Sequence, residues 1–275
     1  ISDISDISDM FNIFGISEDQ MQNIQIDNNI LITPQGKRYN LGEFFELSIP
    51  FLLNNIVKKI NKKTTYKNID NVDICNFMSH HPNSLFQAAS QFNYLEMVYP
   101  SIPPSKGINQ YPLDCTQGPA VAIATYPSTL FRNWFLTSDQ NQMNGLGDVM
   151  KIINKDKKLI RIQNGYILND SDLNDNILNI LNITQEDLDL IVKNNLKIGI
   201  VYNGDNVIEF REGSYGPYTL KEQHDLVTTV WCSAIPLGYL DKSHSEFLEP
   251  LAKSVLKATY QLTLLSAIYF NIKDV

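Results

Sequence analysis

The chain has 275 residues, a formal net charge of -8, 43% hydrophobic and 19% charged residues. That length and balance suit a globular protein with a sizeable core. The acidic charge, with a sequence pI near 5.0, argues against nucleic acid as the main partner, because a phosphate backbone needs a basic stripe. No segment holds the roughly 18 uninterrupted apolar residues that a bilayer span requires, so no membrane role is expected. Three cysteines, Cys75, Cys115 and Cys232, are odd in number and lack CxxC spacing. They read as reduced thiols rather than a disulfide framework or a zinc site. With no basic-then-apolar leader, a cytoplasmic location is expected.

In chain order, residues 1–9 repeat Ile-Ser-Asp and residues 1–20 read as a mobile tail. A short docking segment for a protein partner is the other reading, with Phe11, Ile13 and Phe14 as its anchors. Residues 21–275 are expected to form one α/β domain. The stretch from Asn28 to Leu47 predicts two short strands around a turn at Pro34–Gly36. Ser48 to Lys63 has an amphipathic helical pattern, with Pro50 in its first turn. The basic run Lys58, Lys59, Lys62, Lys63 and Lys67 reads as the solvated end of that helix. Val72 and Ile74 alternate with Asp73 and Cys75 and predict a strand, followed by a loop at His80–Pro82.

After Phe135 comes a polar loop and a short helix from Asp148. Leu159–Leu168 has strand spacing with an Asn164–Gly165 turn, and one or two helices follow, with Thr184 and Asp187 as a capping pair. Lys197–Phe210 reads as a strand, an Asn-Gly-Asp turn and a second strand. Asp225–Leu240 reads as an apolar strand, and Ser243–Phe270 as a long helix. Interleaved strands and helices give the α/β class.

Most chemical motifs are absent. Asp170, Asp172 and Asn174 alternate as in a calcium loop, but Asp175 and Leu181 stand where an EF-hand needs Gly and Glu. His80, His81, His224 and His244 share no metal spacing. No G-x-S-x-G elbow, P-loop or G-x-G-x-x-G occurs. No cofactor is called for.

The informative stretch is Leu85–Phe135. A short buried run, Phe86–Ser90, leads at once to Gln91, Asn93 and Glu96. The turn Thr116–Gln117–Gly118–Pro119 then opens a small-residue helix. Its Gly allows close backbone approach, and its Pro leaves the remaining free N–H groups directed outward, where an anion can be received. Thr116 is either a ligand contact or only an N-cap. Arg132 and Asn133 follow beyond Pro127; Arg132 suits either a structural ion pair or a bidentate phosphate clamp. Cys115 would act as a nucleophile only in an environment that makes it a thiolate.

The segments LFQAASQFNYLEMV, DCTQGPAVAIA, LFRNWF, WCSAIPLGY and FLEPLAKSVLKATYQLTLLSAIYF resemble an uncharacterised family with the same core. That family is in turn similar to macrodomains, the fold that binds ADP-ribose. VDICNF resembles the macrodomain strand that presents an Asp to the adenine, and FQAAS resembles the Val-Asn-Ala-Ala-Asn strand whose last Asn contacts the distal ribose.

The resemblance implies a macrodomain-like mixed sheet flanked by helices, with N-terminal and mid-chain additions. It implies that Asp73 reads adenine, and that Ser90 and Asn93 stand where the ribose Asn acts. Val72 departs from the pattern's Gly, Gln87 from its first Asn and Ser90 from its last. A further strand and a Gly-rich phosphate loop are expected after the long helix in related sequences. The function implied is binding of an ADP-ribose-type small molecule or an ADP-ribosylated protein, with hydrolysis of an ADP-ribosyl linkage added if Glu96 acts as acid and base. Gln87, Gln91, Thr116, Gln117, Gly118, Arg132 and Asn133 complete the candidate ligand contacts. The alternative is a non-catalytic interaction module that keeps the fold without the pocket and presents Tyr94, Tyr99 and Trp134 to a partner. A Cys115-dependent transferase or hydrolase is a third reading.

Overall fold

The computed structural model describes residues 13–56, 65, 67, 69–70, 72–169, 175–240 and 242–275. The Ile-Ser-Asp repeat, Phe11, four of the five lysines in the basic run and the alternation at 170–174 lie outside the described residues. A short 3-10 helix, Glu18–Asn23, precedes three short antiparallel strands: β1 (Gln25–Asp27), β2 (Ile30–Ile32) and β3 (Arg38–Asn40). They are followed by β4 (Glu43–Ser48), α1 (Ile49–Asn55), α2 (Ile74–His80) and β5 (Leu85–Ser90). The middle of the chain forms α3 (Pro104–Gly107), α4 (Gln117–Ala124), α5 (Tyr126–Phe131) and α6 (Gly147–Ile153). The hairpin β6 (Ile160–Gln163) and β7 (Tyr166–Asn169), then α7 (Ile177–Leu181) and α8 (Gln185–Asn195), lead to the long hairpin β8 (Lys197–Arg211) and β9 (Tyr218–Ser233). The last helix is α9 (Lys242–Tyr269).

The main sheet has four strands in the order β4-β8-β9-β5. The β4–β8 and β8–β9 pairs are antiparallel, and β5 joins β9 in parallel, with Ser90 opposite Ser233. Val227–Ser233 are buried without a break, the pattern of a strand covered on both faces. Phe14, Met78, Ala122, Leu130 and Trp231 pack on one side, and Leu52, Val149, Leu188, Leu248 and Leu262 on the other. In α9 the buried positions Phe247, Leu251, Val255, Leu262 and Ser266 recur at helical spacing and lay one stripe against the core. The protein is therefore a mixed α/β fold with a mixed sheet flanked by helices.

Several elements differ from the sequence reading. The predicted strand around Asp73 is a helix start: Asp73 is the N-cap of α2, and its side chain accepts a hydrogen bond from the Asn76 N–H at 3.0 Å. Cys75 and Met78, three apart, are the buried positions of α2, so a helical spacing was read as alternation. The Asn-Gly-Asp sequence at 203–205 turns no hairpin. It sits in a bulge of the continuous strand β8, with Asn203 at φ 55°, and the extra residue is absorbed by local twist.

The N-terminal boundary also moves. Phe14 and Ile16 are core residues, and Phe14 stacks on Tyr126 with ring centroids 3.8 Å apart, so residues 14–16 pack with the domain rather than belonging to a tail that runs to residue 20. Tyr94 is 1% exposed and donates to Glu46 Oε1 at 2.8 Å; it is a core residue, not an interface anchor. Tyr99 is 61% exposed. The capping pair is present, Thr184 and Asp187 bonding reciprocally at the start of α8.

Candidate active site at the ends of β5 and β9

A parallel strand pair ends with both chains leaving the sheet on the same side, and in open α/β sheets ligands lie outside those carboxyl ends. Here β5 and β9 end side by side, and a cavity of about 160 Å³ opens beyond them. Ala89, Ser90 and Gln91 form one wall, and Ala234 and Pro236 beyond β9 another. Glu96, Asp114 and Thr116 close it from the side of α4, and Gly165 and Tyr166 from the β6–β7 turn.

The loop after β5 is tied tightly. Tyr94 adopts φ 64°, and the Gln91 N–H donates to the Leu95 carbonyl at 3.0 Å. Gln91 Oε1 accepts from the Met97 N–H at 2.5 Å, and Asn93 Oδ1 from the Leu95 N–H at 3.2 Å. The β6–β7 turn docks on this loop through Phe92 N–H to Gly165 O at 2.9 Å. A side chain at Gly165 would collide with Asn93 Oδ1 at 2.5 Å, and its φ of 81° is glycine's own region. The loop is thereby held so that Glu96 turns inward.

Glu96 is the chemical centre of this geometry. It is 7% exposed, its N–H donates to the Tyr111 hydroxyl at 2.9 Å, and its Oε1 is buried with no hydrogen-bond partner among the described residues. Burial, reinforced by the nearby Asp114 charge and opposed by Arg132, pushes its carboxyl well above the usual carboxylate range. A carboxyl whose proton is held to higher pH in this way can serve as a proton donor.

The group lies against the first turn of α4. A Cβ placed on Gly118 would meet the Ala89 carbonyl oxygen at 2.6 Å and the Glu96 carboxyl at 2.7 Å. Gly118→Ala is therefore expected to destabilise the protein by about 1–3 kcal/mol through overpacking. Thermal denaturation reads this out, and a wild-type melting temperature would show that the Ala89 backbone and the Glu96 carboxyl both give way without cost.

The sequence-derived candidates divide into two groups. Ser90, Gln91, Glu96 and Thr116 are brought together on the cavity. Ser90 is buried, its hydroxyl donating to the Gln91 carbonyl at 3.1 Å; Thr116 is exposed and caps α4 without a side-chain bond. Gly118 packs beneath Glu96, and Gln117 is exposed on the first turn.

The others are held elsewhere. Asp73 is engaged by Arg211. Gln87 points to α9, where the Thr263 hydroxyl donates to its Oε1 at 2.7 Å. Asn93 is fully buried, bonding Gln142 at 3.0 Å.

Arg132 opens a π-helical turn, Arg132–Leu136, and is 1% exposed. Its guanidinium lies 4.1 Å from the Trp231 ring centroid and donates to the Tyr94 carbonyl at 3.3 Å. Burial pushes it down to about 9, which leaves it charged at neutral pH, beneath rather than inside the cavity. Asn133 is buried, with neither side-chain polar atom partnered among the described residues.

Asp114, Tyr166, Ala234 and Pro236 were missed as cavity residues. Tyr166 donates to the Met97 carbonyl and stands next to the Asn164–Gly165 turn. That turn was legible, but its docking onto residues 91–93 is a tertiary event without a local signal. Among the described residues no group of three or more His, Cys, Asp or Glu side chains is placed to hold a metal ion, and no helix is long and apolar enough to cross a membrane. No family model, no curated protein and no solved structure matches the chain.

Proposed function

We propose that the protein is a macrodomain-like domain that binds an ADP-ribose-type ligand at the ends of β5 and β9, with Glu96 as the acid that opens an ADP-ribosyl linkage. The observation that carries the chemistry is the buried, unpartnered Oε1 of Glu96 in a cavity beside Asp114. The ligand class rests on the resemblance of FQAAS, Phe86 to Ser90, to the macrodomain Val-Asn-Ala-Ala-Asn strand. The cavity, about 160 Å³, is smaller than the roughly 300–1,000 Å³ of sites that enclose a whole ligand. It would take the terminal sugar and leave the nucleotide outside, toward Thr116 and Gln117, which are exposed at the start of α4, where a helix N-terminus favours a phosphate.

In the reaction, the Glu96 proton passes to the leaving group as its bond to the anomeric carbon breaks. Water supplies hydroxide to that carbon, and its remaining proton returns to the Glu96 carboxylate. Calorimetric titration of ADP-ribose into the full chain tests the binding step. Saturable heat is expected, and none at millimolar ligand would overturn the reading.

A non-catalytic module that keeps the fold is the second reading. It is favoured by the internal bonding of Asp73, Gln87, Asn93 and Arg132. On that reading, neither ADP-ribose binding nor release from a modified protein is observed.

A further inference from the structure

A second cleft opens where the small sheet docks on the β8–β9 hairpin. Asn40 makes the joint: its backbone N–H donates to Asp205 Oδ2 at 2.8 Å and its side-chain amide to the Asn203 carbonyl at 2.9 Å. Beside the joint lies a cavity of about 430 Å³, inside the range of sites that enclose a small organic ligand.

Its floor is apolar, formed by Phe14, Tyr39, Val207 and Leu220, and its rim carries Lys37, Arg38, Lys221 and His224 against one acid, Glu222. Asp225 pairs with Lys221 and Asp205 with His224, so the charges left open at the rim are Lys37, Arg38 and Glu222. Lys37 and Arg38 are exposed on β3 and the strand entry, and no ion pair to either occurs among the described residues.

His224 is held for use. Its Nδ1 lies 2.9 Å from Asp205 Oδ2, the oxygen that also accepts the Asn40 N–H, and its ring stacks on Tyr39 with centroids 5.1 Å apart. A carboxylate bound to one imidazole nitrogen fixes the ring and assigns the other nitrogen to whatever occupies the cavity.

We propose that this cleft is a second ligand site, independent of Glu96, that binds an organic phosphate of mononucleotide size. The phosphoryl group lies among Lys37, Arg38, Lys221 and His224, and a flat ring lies on Phe14 and Tyr39. Two unpartnered cations, Lys37 and Arg38, with Lys221 and an imidazole beside them, exceed what a single carboxylate needs. A phosphoryl group, with nearly two charges and three acceptor oxygens, matches them.

The test is calorimetric titration of AMP, and separately of inorganic phosphate, into the full chain and into a Lys37→Ala/Arg38→Ala double variant. Both substituted residues are exposed, so the variant is expected to melt with the wild type. AMP is expected to bind the wild type, and the double variant at least about tenfold more weakly, as the loss of charge-assisted contacts requires. The His224 ring resonances of the wild type are expected to shift on AMP addition. Glu96→Gln is expected to bind AMP as the wild type does, so failure of the catalytic reading leaves this one standing. Unchanged AMP affinity in the double variant, or no heat with AMP at millimolar concentration, overturns the site. Inorganic phosphate binding as tightly as AMP overturns the contact of the ring with the floor.

Discussion

Glu96→Gln is expected, on the proposed hydrolysis of an ADP-ribosyl linkage, to lower the rate by about 10²–10⁴-fold, as loss of a general acid does, while leaving the fold intact. Glutamine has the shape of the protonated side chain, so the packing against Gly118 and Ala89 survives. The stability profile then separates an acid held neutral from one merely buried.

The folded-state pKa of Glu96 is raised above its ordinary 4.5. Between that value and the raised one, the native state keeps a proton that the unfolded chain has released. Stability therefore falls as pH rises through this window, by about 1.4 kcal/mol per pH unit, and levels off above the raised value. The Gln variant lacks this contribution, so its advantage over the wild type grows with pH. Denaturant unfolding of both proteins between about pH 5 and pH 8 measures the difference, and parallel curves would remove Glu96 from the role of neutral acid.

Asp73→Ala is expected to be the most damaging single change to stability. Asp73 Oδ2 accepts from Arg211 Nε at 2.6 Å, Arg211 is 5% exposed, and the same aspartate caps α2. Asn76 fixes the far side, its Oδ1 accepting from the Arg211 N–H at 2.9 Å. Removing the carboxylate leaves a buried guanidinium without its counter-charge, at about 3–5 kcal/mol, and removes a cap worth about 1 kcal/mol. At roughly 2–4 °C per kcal/mol for a chain of this size, the melting temperature falls by about 8–24 °C. Asp73→Asn keeps the cap oxygen and is expected to recover only the smaller part. A wild-type melting temperature for Asp73→Ala would free Asp73 from this structural duty and return it to the list of ligand contacts.

Asp73 shows where reading residues in a line stops. Its helix could have been found, because an aspartate three residues before a backbone donor, with apolar residues at 75 and 78, is a capping pattern. Its partner could not, because Arg211 is 138 residues away. Arg132 is similar. Its position beyond Pro127 left a clamp and a structural role both open; only the placement of Trp231 beneath it decides that the charge is spent inside the protein.

Local chemistry was legible wherever it acts within a few residues. The Asn164–Gly165 turn, the Thr184 cap, the helix opened by Gln117–Gly118–Pro119 and the long amphipathic α9 were all readable, because dihedral preference, capping and periodicity are short-range forces. The sequence by itself also singled out Leu85–Phe135 as the candidate site, since no other stretch combines amides, an acid and a Gly-Pro helix start.

What only the tertiary structure decided is which of those groups share a cavity. Pairing β5 with β9 in parallel, a contact of residues about 143 apart (Ser90 with Ser233), sets Glu96 over Gly118 and beside Asp114. The same packing turns Gln87 to α9 and Asn93 into the core. The Lys37, Arg38 and His224 cleft has the same origin: β3 and β9 are far apart in the chain, and the cleft exists only where the two sheets meet.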